Sequence, residues 1–290
     1  MTLEQLRIFI AVAEREHVTR AAQAIGVTQS AASGAIAALE SQHGVALFNR
    51  VGRGIELTEA GRMFLDEARA VLGRAEHAGR ALAEYGALKR GTLRLVASQT
   101  IASYWLPSRL AAFHARHPGI VVDLAIDNTE GAAGRVLDGA AELGFIEGAI
   151  DEPALAQWIV ATDRMLLVSA EPVDPVDENW LRTATWIVRE RGSGTRSFLE
   201  TALRDSGMDP TDLDIGMTLP SNEAVRTAVE AGAGVAALSA LVVAGSIELG
   251  NLHALPLALP ERAFRAIRQK ERYRTRAADA LVDLIGGHRQ

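Results

Sequence analysis

The sequence changes character at Gly91, and this change limits the folds open to the chain more than any other feature. Residues 1–90 carry apolar side chains at helical spacing, whereas from Gly91 onward short strand-like apolar runs alternate with helical segments. Alternating strands and helices predict parallel sheets that are covered by helices on both faces. With 290 residues the chain has room for about two domains. We therefore expect a helical N-terminal part followed by a larger α/β part.

In the helical part, three closely spaced helices and two short strands predict a winged helix-turn-helix. Gly26 ends the second helix at a tight turn, and Thr28 is placed to cap the third. Two short helices that meet at such a turn form the helix-turn-helix pattern. The helices are predicted at residues 3–14, 19–25 and 29–41, and the strands of the wing at 46–50 and 54–57.

A long helix is predicted from Thr58 to about Gly86, and its small and apolar residues repeat at heptad spacing. Steps of four and three residues separate Gly61, Leu65, Ala68, Leu72, Ala75, Gly79, Leu82 and Gly86. Such a seam is typical of a coiled coil, which would join two copies of the chain in a homodimer. The alternative is an amphipathic helix that packs on its own domain.

In the α/β part, apolar runs bounded by turn residues predict five strands and four helices. The strands are expected at residues 92–97, 120–126, 141–146, 165–169 and 185–188, and the helices at 101–116, 131–139, from 197, and from 223 to 232. The weakly polar stretch Ala231–Ile247 is short for a membrane span and contains glycine and serine. It predicts a buried strand followed by a short helix, and we expect no membrane partner.

Taken together, the N-terminal motifs resemble those of the LysR-type transcriptional regulators. The residues that carry the resemblance are Leu3-x-x-Leu6-x-x-Phe9, Ala21-Ala22, Val27–Ser33, Leu39-Glu40, Gly44-Val45-x-Leu47-Phe48-x-Arg50 and Leu57–Gly61. The resemblance implies a DNA-binding domain at 1–58, a linker helix at 59–90 and an α/β effector domain at 91–290 that is similar to periplasmic binding proteins. Subdomain I of that effector domain would comprise 91–161 and 265–290, and subdomain II 162–264. A homotetramer is implied by the resemblance as well.

Three loops of the α/β part resemble those of a subgroup of the family that is linked to sulfur oxyanions, including sulfite-responsive regulators. They are Gly144–Gly148, Arg189–Arg196 and Ser221–Ala224. This resemblance implies a small anionic effector, such as sulfite or a related oxyanion, and a role in sulfur metabolism.

The third helix is expected to read double-stranded DNA, because the N-terminal residues of a helix in the major groove reach base edges. Small residues occupy much of its remaining surface, so base contacts should be sparse and DNA shape should matter more. A buried core helix is the alternative. The predicted DNA-binding residues are Arg20, Thr28, Gln29, Ser30, Ser33, Arg50 and Arg53.

The effector is expected in a cleft between the two subdomains, where hydroxyl-rich loops precede helices. Free backbone N–H groups at a helix N-terminus favour an anion, and open α/β sheets bind ligands at the carboxyl ends of their strands. Simple N-capping is the alternative for about half of these side chains. Arg191 is expected to supply charge or to pair with Glu190 or Glu147. The predicted effector-binding residues are Ser98, Gln99, Thr100, Asn128, Thr129, Glu147, Ser193, Gly194, Thr195 and Asn222.

Composition and motifs exclude several other kinds of site and leave weaker alternatives. The chain has no cysteine, which rules out disulfides and thiolate ligands. His114 and His117 share a helix face without a third ligand, and Gly232-x-Gly234-x-x-Ala237 lacks the strand context of a dinucleotide site. We therefore expect no cofactor, no metal and no catalytic residues. The alternative functions are a cytoplasmic small-anion-binding protein and an enzyme on the same α/β module.

Charge and the N-terminus complete the prediction. The formal net charge is −6, yet nearly all of the excess acidity lies beyond residue 90. The first 57 residues carry equal numbers of basic and acidic side chains, so a DNA-binding role requires Glu14, Glu16 and Glu40 to point away from the DNA. The N-terminus has no secretory pattern, and we expect a cytoplasmic protein.

Overall fold

The computed structural model describes residues 1–51, 54–84 and 91–286. The chain folds into two compact units, each of which packs mainly against itself. The first unit comprises Met1–Tyr85 and Leu137–Ala140, and the second comprises Gly86–Val136 and Ala141–Gln290.

Within its described residues, the first unit contains four helices and a two-stranded antiparallel sheet. Its elements are α1 (Leu3–Arg15), α2 (Val18–Ala24), α3 (Gln29–His43), β1 (Phe48–Val51), β2 (Gly54–Leu57) and α4 (Glu59–Glu84). The described ends of α1 to α3 and of both strands differ from the predicted bounds by no more than two residues. The predicted helix-turn-helix and wing are therefore present.

Aromatic contacts lie at the centre of one of the buried apolar clusters of this unit. Phe9 is fully buried in α1, and its ring centroid lies 5.5 Å from that of Phe48 and 5.0 Å from that of Phe64. Thr2 and Gln5 form a capping box at the start of α1, which satisfies backbone donors that the helix leaves free. Apolar spacing and a local cap thus place α1 between the wing and α4.

The first half of the predicted dimer seam packs on its own unit instead. Ala68 is buried, and Leu65 and Leu72 pack against the cluster that contains Leu6 and Leu39. A Cβ atom on Gly61 would lie 2.1 Å from the carbonyl oxygen of Leu47, so glycine permits the helix to approach the chain before the wing. For this half of the seam the prediction of a coiled coil is wrong and the alternative holds. In the second half, the side chain of Leu82 and the whole of Gly86 lie outside the described residues.

The described part of the second unit has nine strands, eight of which follow one another across the sheet. They are β3 (Gly91–Ser98), β4 (Ile120–Asp127), β5 (Leu143–Glu147), β6 (Leu155–Ser169), β7 (Thr185–Arg189), β8 (Asp214–Leu219), β9 (Val235–Ser239), β10 (His253–Ala254) and β11 (Glu261–Gln269). The order across the sheet is β4-β3-β5-β11-β6-β9-β7-β8, and β10 pairs with β6.

Helices cover this sheet. They are α5 (Leu106–Arg116), which follows a π-helical turn at Ile101–Trp105, α6 (Thr129–Asp138), α7 (Glu178–Thr183), α8 (Gly194–Asp205), α9 (Asn222–Glu230), α10 (Ala240–Glu248) and α11 (Arg276–Leu284). The stretch Ala231–Ile247 forms β9 and α10, as predicted. No helix among the described residues is long and apolar enough to span a bilayer.

The sheet is mixed, and the prediction of purely parallel sheets is wrong. β3 runs parallel to β4 and β5, and β7 runs parallel to β8 and β9. β11, however, is antiparallel to β5 and β6, and β6 is antiparallel to β9. The reason is that a late strand returns from the far end of the chain and inserts between β5 and β6, where no short crossover constrains its direction.

β6 links two halves of the sheet, which we call subdomain I (β3, β4, β5, β11, α5, α6, α11) and subdomain II (β7 to β10, α7 to α10). Its residues 155–164 pair with β11, and its residues 165–169 pair with β9. The predicted strand at 165–169 covers only the last five of the fifteen residues of β6. The first ten were missed because buried and exposed positions alternate irregularly among them. Trp105 and Phe264 lie in the core of subdomain I, and Trp186 in that of subdomain II.

Candidate functional site

The N-terminal turn of α3 presents small polar side chains to solvent. Thr28 caps the helix, because its Oγ1 accepts a hydrogen bond from the backbone N of Ala31 at 3.2 Å. Ser30 Oγ lies 3.1 Å from Thr28 Oγ1, and Gln29 Nε2 donates to Ser33 Oγ at 3.4 Å. Thr28, Gln29 and Ser30 are exposed, whereas Ser33 is half-buried. The long contacts leave most of their hydrogen-bonding capacity available to a partner.

Only one face of α3 is buried, which excludes the alternative of a core helix. Ala32, Ile36 and Leu39 point into the unit, whereas Gly34, Ala37 and Ala38 are exposed. The exposed face therefore carries polar side chains at its N-terminal end and mostly glycine and alanine beyond it.

Two of the three acidic residues that must avoid the DNA, Glu14 and Glu40, have partners within this unit. Glu14 pairs with Arg69 at 3.1 Å, and Glu40 Oε1 accepts from the backbone N atoms of Leu47 and Phe48 at 2.7 and 3.2 Å. Glu40 therefore holds the start of the wing. Glu16 is exposed and ends α1 with φ at +48°. Arg20 and Arg50 are exposed, and Arg53 lies outside the described residues.

In the second unit, the ten predicted effector-binding residues lie in one connected polar cluster between subdomains I and II. Glu147 is central to the first part of this cluster, which we call the Glu147 group. Its Oε2 accepts from Thr195 Oγ1 at 3.1 Å and from Arg262 Nη1 at 2.7 Å. Gly194 brings α8 against this residue, since a Cβ there would lie 2.6 Å from Glu147 Cβ and 2.6 Å from Thr129 Oγ1.

The Glu147 carboxylate is held in its charged form. Burial alone would raise the pKa of Glu147, but the Arg262 guanidinium and the hydroxyls of Thr100, Thr195 and Ser98 outweigh burial and keep the pKa below its ordinary value. Ser98 Oγ is buried, and neither it nor Glu147 Oε1 makes a well-formed hydrogen bond. Thr195 therefore acts on Glu147 through a hydrogen bond, whereas Ser98 acts on it without a well-formed one.

Arg262 connects both subdomains through a second buried carboxylate. Its Nη2 donates to Asp163 Oδ2 at 2.5 Å, and Asp163 Oδ1 accepts from Ser239 Oγ at 2.7 Å. Arg262, Asp163 and Ser239 are all at least 96% buried. One guanidinium between two carboxylates leaves this group with a net negative charge.

The second part of the cluster, which we call the Gln99 group, crosses the cleft directly. Gln99 follows β3 in subdomain I, and its Oε1 accepts from Arg189 Nη1 at 3.0 Å and from the backbone N of Asn222 at 2.7 Å. Its Nε2 donates to Glu223 Oε2 at 2.5 Å. Asn222 Nδ2 in turn donates to Thr100 Oγ1 at 2.9 Å. These hydrogen bonds join the first turn after β3 to β7 and α9.

Arg189 and Glu223 have further partners around this crossing. Arg189 donates from Nε and Nη2 to the two carboxylate oxygens of Glu190 at 2.7 and 2.8 Å, and from Nη1 to Asn222 Oδ1 at 2.7 Å. Tyr104 OH donates to Glu223 Oε1 at 3.1 Å. Burial, and after it the nearby Glu223 carboxylate, raises the pKa of Tyr104.

Several predicted residues act as helix caps, as the alternative anticipated. Asn128 Oδ1 accepts from the backbone N of Gly131 at the start of α6, and Ser193 Oγ accepts from that of Thr195 at the start of α8. Thr129 Oγ1 donates to the carbonyl oxygen of Glu147 at 3.4 Å. The N-termini of α6, α8 and α9 thus converge on the cleft.

The predicted effector-binding residues leave out several charged members of this cluster, namely Asp163, Arg189, Glu190, Glu223 and Arg262. The expected pairing of Arg191 with Glu190 or Glu147 is wrong, because Arg189 and Arg262 occupy these places. Arg189 lies inside the Arg189–Arg196 loop motif and directly precedes Glu190. Their ion pair could therefore have been predicted from the sequence. Arg262 and Asp163 are almost a hundred residues apart, and no local pattern connects them.

The glycine motif and the histidine pair have structural explanations. Gly232, at φ +80°, follows the end of α9, and a Cβ on Gly234 would lie 2.1 Å from the carbonyl oxygen of Thr185. The ring centroid of His117 lies 4.9 Å from that of Phe113 at the end of α5. Among the described residues, no group of three or more histidine or acidic side chains is placed to hold a metal ion.

Comparison with known proteins agrees with both units. Residues 3–62 match the family model "Bacterial regulatory helix-turn-helix protein, lysR family", and residues 86–290 match "LysR substrate binding domain". An uncharacterized HTH-type transcriptional regulator of Mycobacterium bovis is 36% identical over 96% of this chain and 93% of its own length. The uncharacterized HTH-type transcriptional regulator YeiE of Escherichia coli is 32% identical over 98% of this chain and 96% of its own.

A solved structure shares the fold. The chain is similar to full-length CbnR in complex with its target DNA, with a TM-score of 0.69 and 24% identity over 99% of each chain. The relatives are named as regulators, and the helix-turn-helix unit and the two-subdomain effector unit occur together in this chain. The protein is therefore not an enzyme but belongs to the LysR family of DNA-binding transcriptional regulators, with an N-terminal helix-turn-helix and a C-terminal effector-binding domain.

Proposed function

We propose that this regulator acts in the cytoplasm and that a small anionic effector in the cleft between subdomains I and II controls its binding to DNA. The observation that carries the proposal is the convergence of three helix N-termini and five hydroxyl side chains (Ser98, Thr100, Thr129, Ser193 and Thr195) on one cleft. Helix N-termini attract anions because their backbone N–H groups lack partners within the helix. Sulfite and related sulfur oxyanions are the first ligands to test.

The charges of the cleft narrow the part that an anion can occupy. Glu147 opposes an anion, and Arg262 and Thr195 already bind its Oε2. We therefore assign Glu147 to positioning Arg262 rather than to contacting the effector. Because the Thr195 hydroxyl already donates to Glu147, the favoured place for the anion is at the backbone N–H groups of the first turn of α8, beside Ser193.

An effector in this cleft would act by changing how the two subdomains close. It can shift the equilibrium between an open and a closed cleft only to the extent that its affinity differs between the two states. Since β6 and β11 run through the junction of the subdomains, closure would strain or relax these strands. That movement is the link that we propose between the effector and the DNA-binding unit.

On the DNA side, we propose that Gln29, Ser30 and Ser33 contact base edges and that Arg20, Arg50 and Arg53 contact phosphates or the minor groove. Thr28 is assigned to capping α3 and to placing Ser30. Since only these three arginines of one chain would contact phosphates or the minor groove, firm binding would require the DNA-binding units of two or more chains on one DNA.

We infer a homodimer, formed through the outer face of α4 rather than through the predicted seam, and a homotetramer built from it. Met63 and Val71 on α4 are 70% and 42% exposed. Beside Met63 lies an apolar groove of about 270 Å³ that Met1, Val45 and Phe64 also line. Apolar surface of this kind marks sites of association in soluble proteins.

DNA binding is tested by fluorescence anisotropy with the upstream region of the protein's own gene. We expect salt-sensitive binding with a preference over scrambled DNA, because phosphate contacts release counterions. Binding without a sequence preference, or no binding at all, would refute the regulatory proposal for this DNA face.

The effector class is tested by thermal unfolding of the full chain with sulfite, sulfate, thiosulfate, phosphate and small carboxylates. A ligand that binds only the folded state raises the midpoint as its concentration exceeds its Kd. We expect at least one sulfur oxyanion to raise the midpoint and to change DNA affinity. If only carboxylates raise the midpoint and change DNA affinity, the result supports an anion site but contradicts the assignment of a sulfur oxyanion.

A further inference from the structure

The Gln99 side chain behaves as a ligand that the chain supplies to itself. Gln99 belongs to subdomain I, yet three groups of subdomain II bind its amide. The carbonyl oxygen takes two donors, and the NH₂ group gives one proton to a carboxylate. We call the three binding groups, namely Arg189 Nη1, the backbone N of Asn222 and the Glu223 carboxylate, the amide receptor.

We infer that the amide receptor recognises primary carboxamides, and that a small molecule carrying one competes with Gln99 for it. The inference rests on the proposed function only in that the cleft is the effector site. It assigns a chemical class to the end of the effector that reaches α9.

The arrangement of charges favours an amide over simple ions. Arg189 and the start of α9 present donors to one side of the bound group, and Glu223 presents acceptors to the other. A carboxylate would satisfy the first side but would face Glu223. An ammonium group would satisfy Glu223 but would face Arg189. A primary amide has an acceptor and a donor on one carbon and meets both sides without a charge.

The receptor exists independently of Gln99, because other contacts hold its parts. Glu190 fixes Arg189 through two hydrogen bonds, and Arg189 also donates to Asn222 Oδ1. Ser221 caps α9, and Tyr104 OH holds the second oxygen of Glu223. Arg189 is 95% buried. A receptor that is ordered in advance loses little entropy when it binds a ligand.

The tethered side chain sets the affinity of the wild-type protein. A group attached to the same chain competes at an effective concentration in the millimolar range or above. Free amides therefore bind the wild-type protein weakly and bind a variant without the Gln99 amide more tightly.

The test is chemical rescue of Gln99→Ala by acetamide in the full chain. Gln157→Ala is the matched control, since both hydrogen bonds of the Gln157 amide among the described residues join the backbone of Ile150 in the loop before β6. Both variants are melted with acetamide, acetate and methylammonium. We expect acetamide to raise the midpoint of Gln99→Ala by about 2–4 °C more than that of Gln157→Ala. Acetate and methylammonium should not do so.

If acetamide affects both variants equally, or if all three probes act alike on Gln99→Ala, the inference is overturned. These melts contain no DNA, so their failure leaves the regulatory proposal intact, and failure of DNA binding leaves the amide receptor intact.

A charge pair keeps the inference testable if Gln99→Ala does not fold. Gln99→Glu keeps the length of the side chain but places a carboxylate against Glu223. We expect it to lower the melting midpoint, and we expect Glu223→Gln in the same chain to restore most of the loss. A Gln99→Glu chain as stable as the wild type would show that the receptor does not select an amide.

Discussion

The polar side chains of α3 and those of the cleft find their partners over very different distances along the chain. On the exposed face of α3, hydrogen bonds join residues two to four positions apart. In the cleft they join residues up to 124 positions apart. The first set needs only a helix to form, whereas the second needs the whole effector domain to be folded. Substitutions in the two places should therefore change different measured quantities.

The loss of the buried guanidinium should produce the largest effect. Arg262→Met leaves Glu147 and Asp163 buried without their shared cation, and we expect a loss of about 3–5 kcal/mol in unfolding free energy. Arg7→Met, which breaks an exposed pair with Glu4, is the control and should cost less than about 1 kcal/mol. Denaturant unfolding measures both. If both variants lose the same unfolding free energy, the buried ion pairs contribute no more to stability than the exposed one.

The next largest effect concerns a remote contact inside the DNA-binding unit. Gly61→Ala puts a methyl group against the carbonyl oxygen of Leu47, and we expect about 1–3 kcal/mol of destabilisation. Gly79→Ala on the same helix meets no neighbouring atom and should stabilise by about 0.5–1 kcal/mol. Opposite signs in thermal melts would show that this unit, too, depends on one close approach between distant residues.

On the exposed face of α3, affinity for DNA should change while stability does not. We expect Ser30→Ala to weaken binding to the preferred DNA by about twofold to tenfold, since one neutral hydrogen bond contributes about 0.5–1.5 kcal/mol. Its melting midpoint should stay unchanged. Ser41→Ala, at the exposed C-terminal end of α3, is the control for anisotropy titrations. If both variants bind alike, the N-terminal turn does not read bases.

The smallest effect under ordinary conditions is the pH dependence that Glu147 contributes. Since the folded protein lowers its pKa, the stabilisation is present above the unfolded value of about 4.3 and is lost as the pH falls through the folded pKa. We expect no change between about pH 6 and 8. Glu147→Gln should flatten the acid limb of a plot of unfolding free energy against pH. An unchanged acid limb would contradict the role of the Arg262 pair.

The separation of hydrogen-bonded partners along the chain also explains which parts of the structure could be predicted from the sequence. The bounds of α1 to α3, the Thr28 cap and the wing follow from contiguous spacing, and the structure agrees with them closely. The ten cleft residues could be gathered because each lies at or just after the end of a strand or at the start of a helix, and the carboxyl ends of parallel strands meet.

What escaped prediction depends on contacts that no local pattern carries. β11 inserts antiparallel between two earlier strands, and with it comes Arg262, opposite Asp163 in the register. The inward direction of Gly61 could not be separated from a dimer seam, because the same heptad spacing serves a partner helix and the unit's own core.

The late position of β11 has a consequence for how the protein is made. This strand is synthesised after every other described strand, yet it lies in the middle of the sheet. During translation, β5 and β6 must remain unpaired along the edges that later receive it, and exposed edges of this kind promote aggregation. Pairing over such sequence separations also folds slowly. We therefore expect the effector domain to complete its fold only after β11 has left the ribosome, with the DNA-binding unit already formed.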